Sequence, residues 1–171
     1  MTTVTPSSDF VGTWDRLRLF LRRDRIVAAL WIVVLGLVLP LTYVSSIDSV
    51  YPTAADREKF AASTASSPAQ IAMYGPMFNA SPGMVTIWKA GALFTMIGVA
   101  VILTVVRHTR VEEESGRAEL IQSTAVGRYS GLTAALSLAG GGSIVAGALA
   151  TAALLSGGLP TGGSVGYGAA L

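Results

Sequence analysis

The chain has 171 residues, of which 51% are hydrophobic and 13% charged, and its mean hydropathy is +0.58. These values exclude an ordinary soluble domain, because the apolar residues lie in long runs that need lipid as their solvent. The net charge of +2 is small and most arginines flank apolar runs, which argues against a nucleic-acid partner. The sequence contains no cysteine, and therefore neither disulfides nor a thiolate metal site.

Residues 1–25 are predicted to form a cytoplasmic N-terminus that carries an amphipathic helix. Apolar side chains recur every three or four residues, at Phe10, Trp14, Leu17 and Leu21, and arginines occupy much of the remaining surface. Such a helix is expected to lie in the interface between membrane lipid and water, with its guanidinium groups among anionic headgroups. An equally favoured alternative makes this segment the cytoplasmic end of a long first helix.

The first transmembrane helix is predicted over residues 26–45, an uncharged stretch long enough to cross a hydrocarbon core of about 30 Å. Pro40 removes one backbone hydrogen bond in its outer third and predicts a kink. Residues 46–84 are rich in Ala, Ser and Pro and are predicted to form an extracellular loop. Within it, Thr53 and Asp56 resemble a capping box and predict a short helix to about Ser63.

A second transmembrane helix is predicted over residues 85–106. Lys89 lies near its start, and we expect its aliphatic stem to carry the ammonium back to the interface, although a substrate contact is an alternative. Trp88 beside it is typical of the aromatic belt found at membrane interfaces.

Three further segments follow along the chain. Residues 107–130 are predicted to form a charged loop that must lie outside the bilayer core. Residues 131–155 are predicted to form a third transmembrane helix, and residues 156–163 an extracellular turn. Residues 164–171 are predicted to start a fourth transmembrane helix, so the chain is expected to be a fragment. In the third helix, small residues at four-residue spacing, Ser143, Gly147 and Thr151, predict a packing seam. The predicted fold is therefore an all-α polytopic membrane protein.

Positive charge sets the predicted orientation in the plasma membrane. Five arginines precede the first span and four lie in the charged loop, whereas the extracellular loop has only Arg57 and Lys59. Because Lys and Arg favour cytoplasmic segments, both the N-terminus and the charged loop are expected to face the cytoplasm.

No catalytic, cofactor-binding or metal-binding residues are predicted. His108 is the only histidine, adjoins arginines at the membrane boundary and is an improbable ligand or base. The predicted spans contain no pair of carboxylates for a proton relay, and no nucleotide-binding motif is present, so any ATP hydrolysis belongs to another chain.

The most specific segment is the charged loop, RHTRVEEESGRAELIQSTAVGR. Together with LRLFLRRDR before the first span and with YPTAADREKF and MYGPMF in the extracellular loop, it resembles actinobacterial ABC exporter permeases for polyketide antibiotics. The resemblance covers nearly the whole chain.

The resemblance implies a type-2 ABC exporter permease, of which this chain would be the start of the first half. It also implies a separate ATP-binding subunit that carries ATP and Mg²⁺, further permease helices or a second permease copy, and a small hydrophobic substrate. The helix that contains Phe10, Trp14, Leu17 and Leu21 would be the connecting helix. The contact with the ATPase would fall on Arg110, Glu112, Glu113, Glu114, Arg117, Glu119, Leu120 and Ile121. A non-transporting membrane scaffold or sensor that holds a cytoplasmic partner through the same loop is the alternative function.

Overall fold

A computed structural model describes residues 9–114, 127 and 129–171, and the regular secondary structure of these residues is helical. The elements are α1 (Thr13–Val33), a π-helical segment (Val34–Val38), α2 (Leu39–Val50), α3 (Ala54–Ala65), α4 (Pro68–Tyr74), α5 (Pro82–Lys89), α6 (Gly91–Glu114), α7 (Ser130–Ser156) and α8 (Thr161–Ala169).

Among the described residues, three helical stretches are long and apolar enough to cross a membrane, namely Thr13–Ile47, Pro82–Thr109 and Ser130–Ser156. Their most apolar windows have mean hydropathies of 2.4, 2.1 and 1.8. At 27 to 35 residues each exceeds the roughly 20 residues that a bilayer requires. The predicted all-α membrane fold is confirmed.

Pro40 changes the first span through the turn that precedes it. The Leu39 N–H donates to the carbonyl of Val34, five residues earlier, so the helix widens into a π turn over Val34–Val38. Proline has no N–H to continue the regular ladder, and wider turns of this kind are a common accommodation within helices. The predicted disturbance at Pro40 is therefore a local widening.

Glycines allow two close helix contacts along α7. A methyl group added to Gly36 would lie 2.8 Å from the Cα and the carbonyl oxygen of Ala146, so α7 passes directly over the π segment. A methyl group on Gly147 would overlap the carbonyl oxygen of Gly168 in α8, and the Thr151 hydroxyl donates to the Ser164 carbonyl of α8 at 3.4 Å. The predicted packing seam is confirmed at Gly147 and Thr151, and α8 is its partner.

The predicted extracellular loop contains more helix than expected. The capping box of α3 is confirmed, because the Thr53 hydroxyl accepts from the Asp56 N–H and the Asp56 carboxylate accepts from the Thr53 N–H. The helix α4 was not predicted, and α5 begins three residues before the predicted start of the second transmembrane helix. Each begins with a serine N-cap followed by proline, Ser67-Pro68 and Ser81-Pro82, a pair that starts helices as well as turns.

Helix boundaries differ from the predicted segments at two places. The segment Phe10–Arg25 forms no separate helix, because α1 runs from Thr13 without a break into the first span, as the alternative interpretation had it. The helix α6 continues past residue 106 to Glu114, so the charged segment begins as helix rather than as a loop. Both extensions follow from uninterrupted helix-forming residues without Gly or Pro.

The chain divides into two compact units, the first formed by residues up to Ala29 and by Val99–Gly142, the second by Leu30–Gly98 and Ser143–Leu171. In the first unit, Phe20 packs with Ala134, Ala135 and Leu138, and Leu17 lies against them. In the second unit, the buried side chains include Leu35, Val85, Leu93, Ala150 and Leu154.

Candidate functional site: the root of the charged loop

Residues on both flanks of the charged segment contact the N-terminal part of the chain. We call this group the loop root. It comprises Asp9, Phe10, Val11, Phe20, Asp24, Arg107, His108, Gly127 and Tyr129, all in the first unit.

On the N-terminal flank of the loop, one carboxylate of α1 meets two basic side chains of α6. His108 Nε2 lies 2.7 Å from Asp24 Oδ2, and Arg107 Nη2 lies 3.3 Å from Asp24 Oδ1. The side chains of Asp24 and His108 are 6% and 1% exposed, whereas that of Arg107 is 46% exposed. Although the distance is short, the two atoms are not aligned as a hydrogen bond.

The same pair is enclosed by apolar groups. The Phe20 ring stacks on the His108 ring with centroids 4.0 Å apart, and Phe20 itself is only 3% exposed. Phe20 and Asp24 are four residues apart on α1 and share one helix face. Since water is largely excluded, the carboxylate depends on its two basic partners for compensation.

On the C-terminal flank of the loop, the contact is made by backbone groups. The Gly127 N–H donates to the Val11 carbonyl at 2.9 Å, and the Tyr129 N–H donates to the Asp9 carbonyl at 3.0 Å. A methyl group on Gly127 would overlap the backbone of Asp9 and Phe10, which explains why glycine fits there. The Phe10 and Tyr129 rings lie 6.2 Å apart beside this pairing.

The structure does not bury the predicted apolar stripe of the N-terminal segment as a unit. Leu17 packs on the first-unit core, whereas Phe10, Trp14 and Leu21 are 56%, 73% and 49% exposed. The buried face of α1 is instead the one that carries Phe20 and Asp24. The exposed apolar side chains stay available to lipid, as the amphipathic prediction requires.

The predicted contact residues for an ATPase are placed only in part. Arg110, Glu112, Glu113 and Glu114 belong to the last turns of α6, but their side chains lie outside the part that the structure describes. Arg117, Glu119, Leu120 and Ile121 lie outside the described residues.

The sequence did not predict that Asp24 and His108 belong to a site. The interpretation of LRLFLRRDR rested on its arginines, yet Asp24 is the single acid in that run. An acid four residues after an aromatic residue on one helix face was the available signal. The sequence predicts no role for His108 as a metal ligand or base, and the structure makes it the partner of a carboxylate. Among the described residues, no group of three potential metal ligands comes together.

In the second unit, Lys89 lies in a group of aromatic residues that we call the aromatic cluster, composed of Tyr51, Phe60, Tyr74 and Trp88. Lys89 Nζ is 4.5 Å from the Tyr51 ring centroid and 5.2 Å from that of Phe60. Rings of the chain itself therefore hold the Lys89 ammonium, and its expected position at the membrane interface stays a prediction.

Trp88 is itself buried within the aromatic cluster. It is 7% exposed, and its indole N–H donates to the Gly75 carbonyl at 2.9 Å. Rings of α3 and α4 cover the Trp88 side chain, a contact that the sequence did not predict, and its expected position at the membrane interface stays a prediction.

Known proteins place the chain among efflux permeases. Residues 16–170 match the family model described as the multidrug efflux system permease Rv1217c, C-terminal domain. The chain belongs to this family. It is 53% identical over 164 residues to the multidrug efflux system permease protein Rv1217c of Mycobacterium tuberculosis. The aligned region covers 96% of this chain and 30% of that relative.

Family membership agrees with the three candidate membrane spans and makes the chain part of a multi-pass membrane protein family. The chain spans less than a third of the length of the relative it matches. The family description names a C-terminal domain, which differs from the predicted position at the start of a first half.

Proposed function

We propose that this chain is part of the transmembrane subunit of an ATP-driven exporter of hydrophobic or polyketide-type compounds. A separate ATP-binding subunit, which holds ATP and Mg²⁺, docks on the charged loop from the cytoplasm. Further permease helices or a second permease copy complete the path through the plasma membrane.

The observation that carries this proposal is the loop root. A loop that receives force from a partner must be fixed to the membrane helices at its ends, because otherwise the force is lost in loop motion. Here one flank is fixed by the buried contact between Asp24 and His108 and the other by two backbone hydrogen bonds from Gly127 and Tyr129. The permease family supports the direction of transport, since the relative is named an efflux system permease.

Replacing Glu112, Glu113 and Glu114 together with alanine tests the partner. We expect association with the ATP-binding subunit and compound efflux to fall at least fivefold, while the amount of protein in the membrane stays the same. The matched control replaces two exposed acids elsewhere, Asp15 and Glu58, and should leave both measurements unchanged. Normal association and efflux in the triple variant would contradict the proposed docking site.

The orientation can be tested directly because the sequence contains no cysteine. Single cysteines at Ser123 in the charged loop and at Ser63 in α3 can be treated with a membrane-impermeant maleimide. We expect Ser63→Cys to be labelled in intact cells and Ser123→Cys only after permeabilisation. The reverse pattern would overturn the topology and with it the docking of a cytoplasmic ATPase.

A further inference from the structure

We infer that Asp24 is a positioning residue that joins the start of the charged loop to α1, so that a displacement of the loop displaces the first span; this rests on the proposed function. The Asp24 carboxylate lies between two adjacent residues of α6, Arg107 and His108. Both residues precede the first predicted contact residue, Arg110, by less than one helical turn.

Asp24 differs in burial from every other described charged residue of α1. The side chains of Arg18, Arg22, Arg23 and Arg25 are exposed, as is Asp15, whereas Asp24 is 4% exposed. An exposed carboxylate could exchange its partners for water with little cost, but a buried one cannot. The contact between α1 and α6 is therefore either made or broken, which suits the transmission of a displacement.

The Phe20 ring gives this contact a fixed direction. His108 lies between the Phe20 ring, 4.0 Å away by centroids, and the Asp24 carboxylate, 2.7 Å from Nε2. The ring stack limits movement of the imidazole along one axis, and the carboxylate limits it along another. The loop flank is thus held by side chains that the proposed docking residues do not include.

The C-terminal flank reaches the same N-terminal segment through two backbone hydrogen bonds. Its hydrogen bonds from Gly127 and Tyr129 persist in any side-chain variant at position 24. Asp24 substitution should therefore loosen one flank while the other stays attached, which affects energy transfer more than assembly.

The test uses the full permease with its ATP-binding subunit, reconstituted into lipid vesicles, and measures both ATP hydrolysis and ATP-driven movement of the dye rhodamine 6G. We expect Asp24→Asn to lower the dye moved per ATP hydrolysed at least fivefold, with the subunits still assembled. Asp15→Asn, which makes the same change at an exposed position of α1, should stay within twofold of the unaltered protein.

Two further variants separate positioning from general damage. Asp24→Glu keeps the charge and should recover more than half of the coupling ratio. His108→Gln should lower the ratio by itself and add nothing in the Asp24→Asn background, because both act through one contact. Equal ratios for Asp24→Asn and Asp15→Asn, or independent effects of the two residues, would overturn the inference.

A third variant covers the case in which Asp24→Asn does not reach the membrane. Arg107→Gln removes a partner whose side chain is 46% exposed and should lower the ratio two- to threefold. An unchanged ratio in that variant would then overturn the inference. If the proposed function itself were wrong, the unaltered protein would show no ATP-driven dye movement, which distinguishes that outcome from a failure of the inference about Asp24.

Discussion

The loop root and the aromatic cluster each hold a positively charged side chain, but by opposite means. In the loop root, a buried carboxylate meets His108 and Arg107, and in the aromatic cluster, Lys89 lies over the faces of Tyr51 and Phe60. Removing His108 leaves the buried Asp24 carboxylate with less compensation, whereas removing Lys89 leaves only ring faces. We therefore expect a substitution in the loop root to lower the free energy of unfolding more than a substitution in the aromatic cluster.

The largest effect is therefore expected from His108→Ala. This variant leaves Asp24 with only the half-exposed Arg107, and the free energy of unfolding should fall by about 3 kcal/mol. The measurement is unfolding of the full permease by SDS titration in mixed micelles. The control is Glu58→Ala, which changes an exposed residue. An equal loss of stability in both variants would show that the buried contact at the loop root contributes nothing particular.

The backbone part of the loop root can be broken separately with Gly127→Ala. Its methyl group would overlap the backbone of Asp9 and Phe10, so we expect a loss of about 1–3 kcal/mol in the same titration. Gly140→Ala in α7 is the matched control, because nothing lies within 4 Å of its added methyl group.

The control variant Gly140→Ala is expected to change stability in the opposite direction to Gly127→Ala, or not at all. Within a helix, alanine is favoured over glycine by up to about 1 kcal/mol, so Gly140→Ala should be neutral or stabilising. A neutral result for Gly127→Ala would mean that the C-terminal flank of the loop tolerates a shift of the Asp9–Val11 backbone.

A smaller effect is expected in the aromatic cluster from Lys89→Met. The loss of the contacts with Tyr51 and Phe60 should lower the free energy of unfolding by about 1 kcal/mol, the middle of the range for such contacts. Lys89→Arg keeps the positive charge over the rings and should lose less. A larger loss for arginine than for methionine would show that chain length, rather than charge, fits Lys89 to the cluster.

The sequence was sufficient for the helical membrane fold because long uncharged runs leave few alternatives. It also predicted the capping box at Thr53 and the seam at Gly147, since both depend on residues a few positions apart. These are local patterns, and local patterns can be interpreted from a single sequence.

The loop root was not predicted because its contacts join residues that are distant in sequence. Asp24 and His108 are 84 positions apart, and nothing in either segment indicates the other. The ring contacts of Trp88 were not predicted for the same reason, since its neighbours Phe60 and Tyr74 lie on the separate helices α3 and α4. Apolar periodicity identifies a helix but does not identify which helix covers it.

The smallest effect on stability is expected at the capping box of α3, because its groups are not buried. Thr53→Ala removes a hydroxyl that accepts from the Asp56 N–H and donates to the Asp56 carboxylate at 2.6 Å. We expect faster hydrogen exchange in the first turn of α3 and little change elsewhere. Ser63→Ala, at the C-terminal end of the same helix, is the control.

The contribution of this capping box to stability should depend on pH through Asp56. The hydrogen bond from the Thr53 side chain lowers the pKa of Asp56 below its ordinary value of 3.8. A carboxyl whose pKa is lowered in the folded state stabilises that state above pH 3.8, and the contribution is lost as the pH falls through the lowered pKa. The difference between Thr53→Ala and the unaltered protein should therefore be full at pH 7 and shrink below about pH 3.8. A difference that persists undiminished in acid would mean that the hydroxyl acts through the Asp56 N–H alone, without the carboxylate.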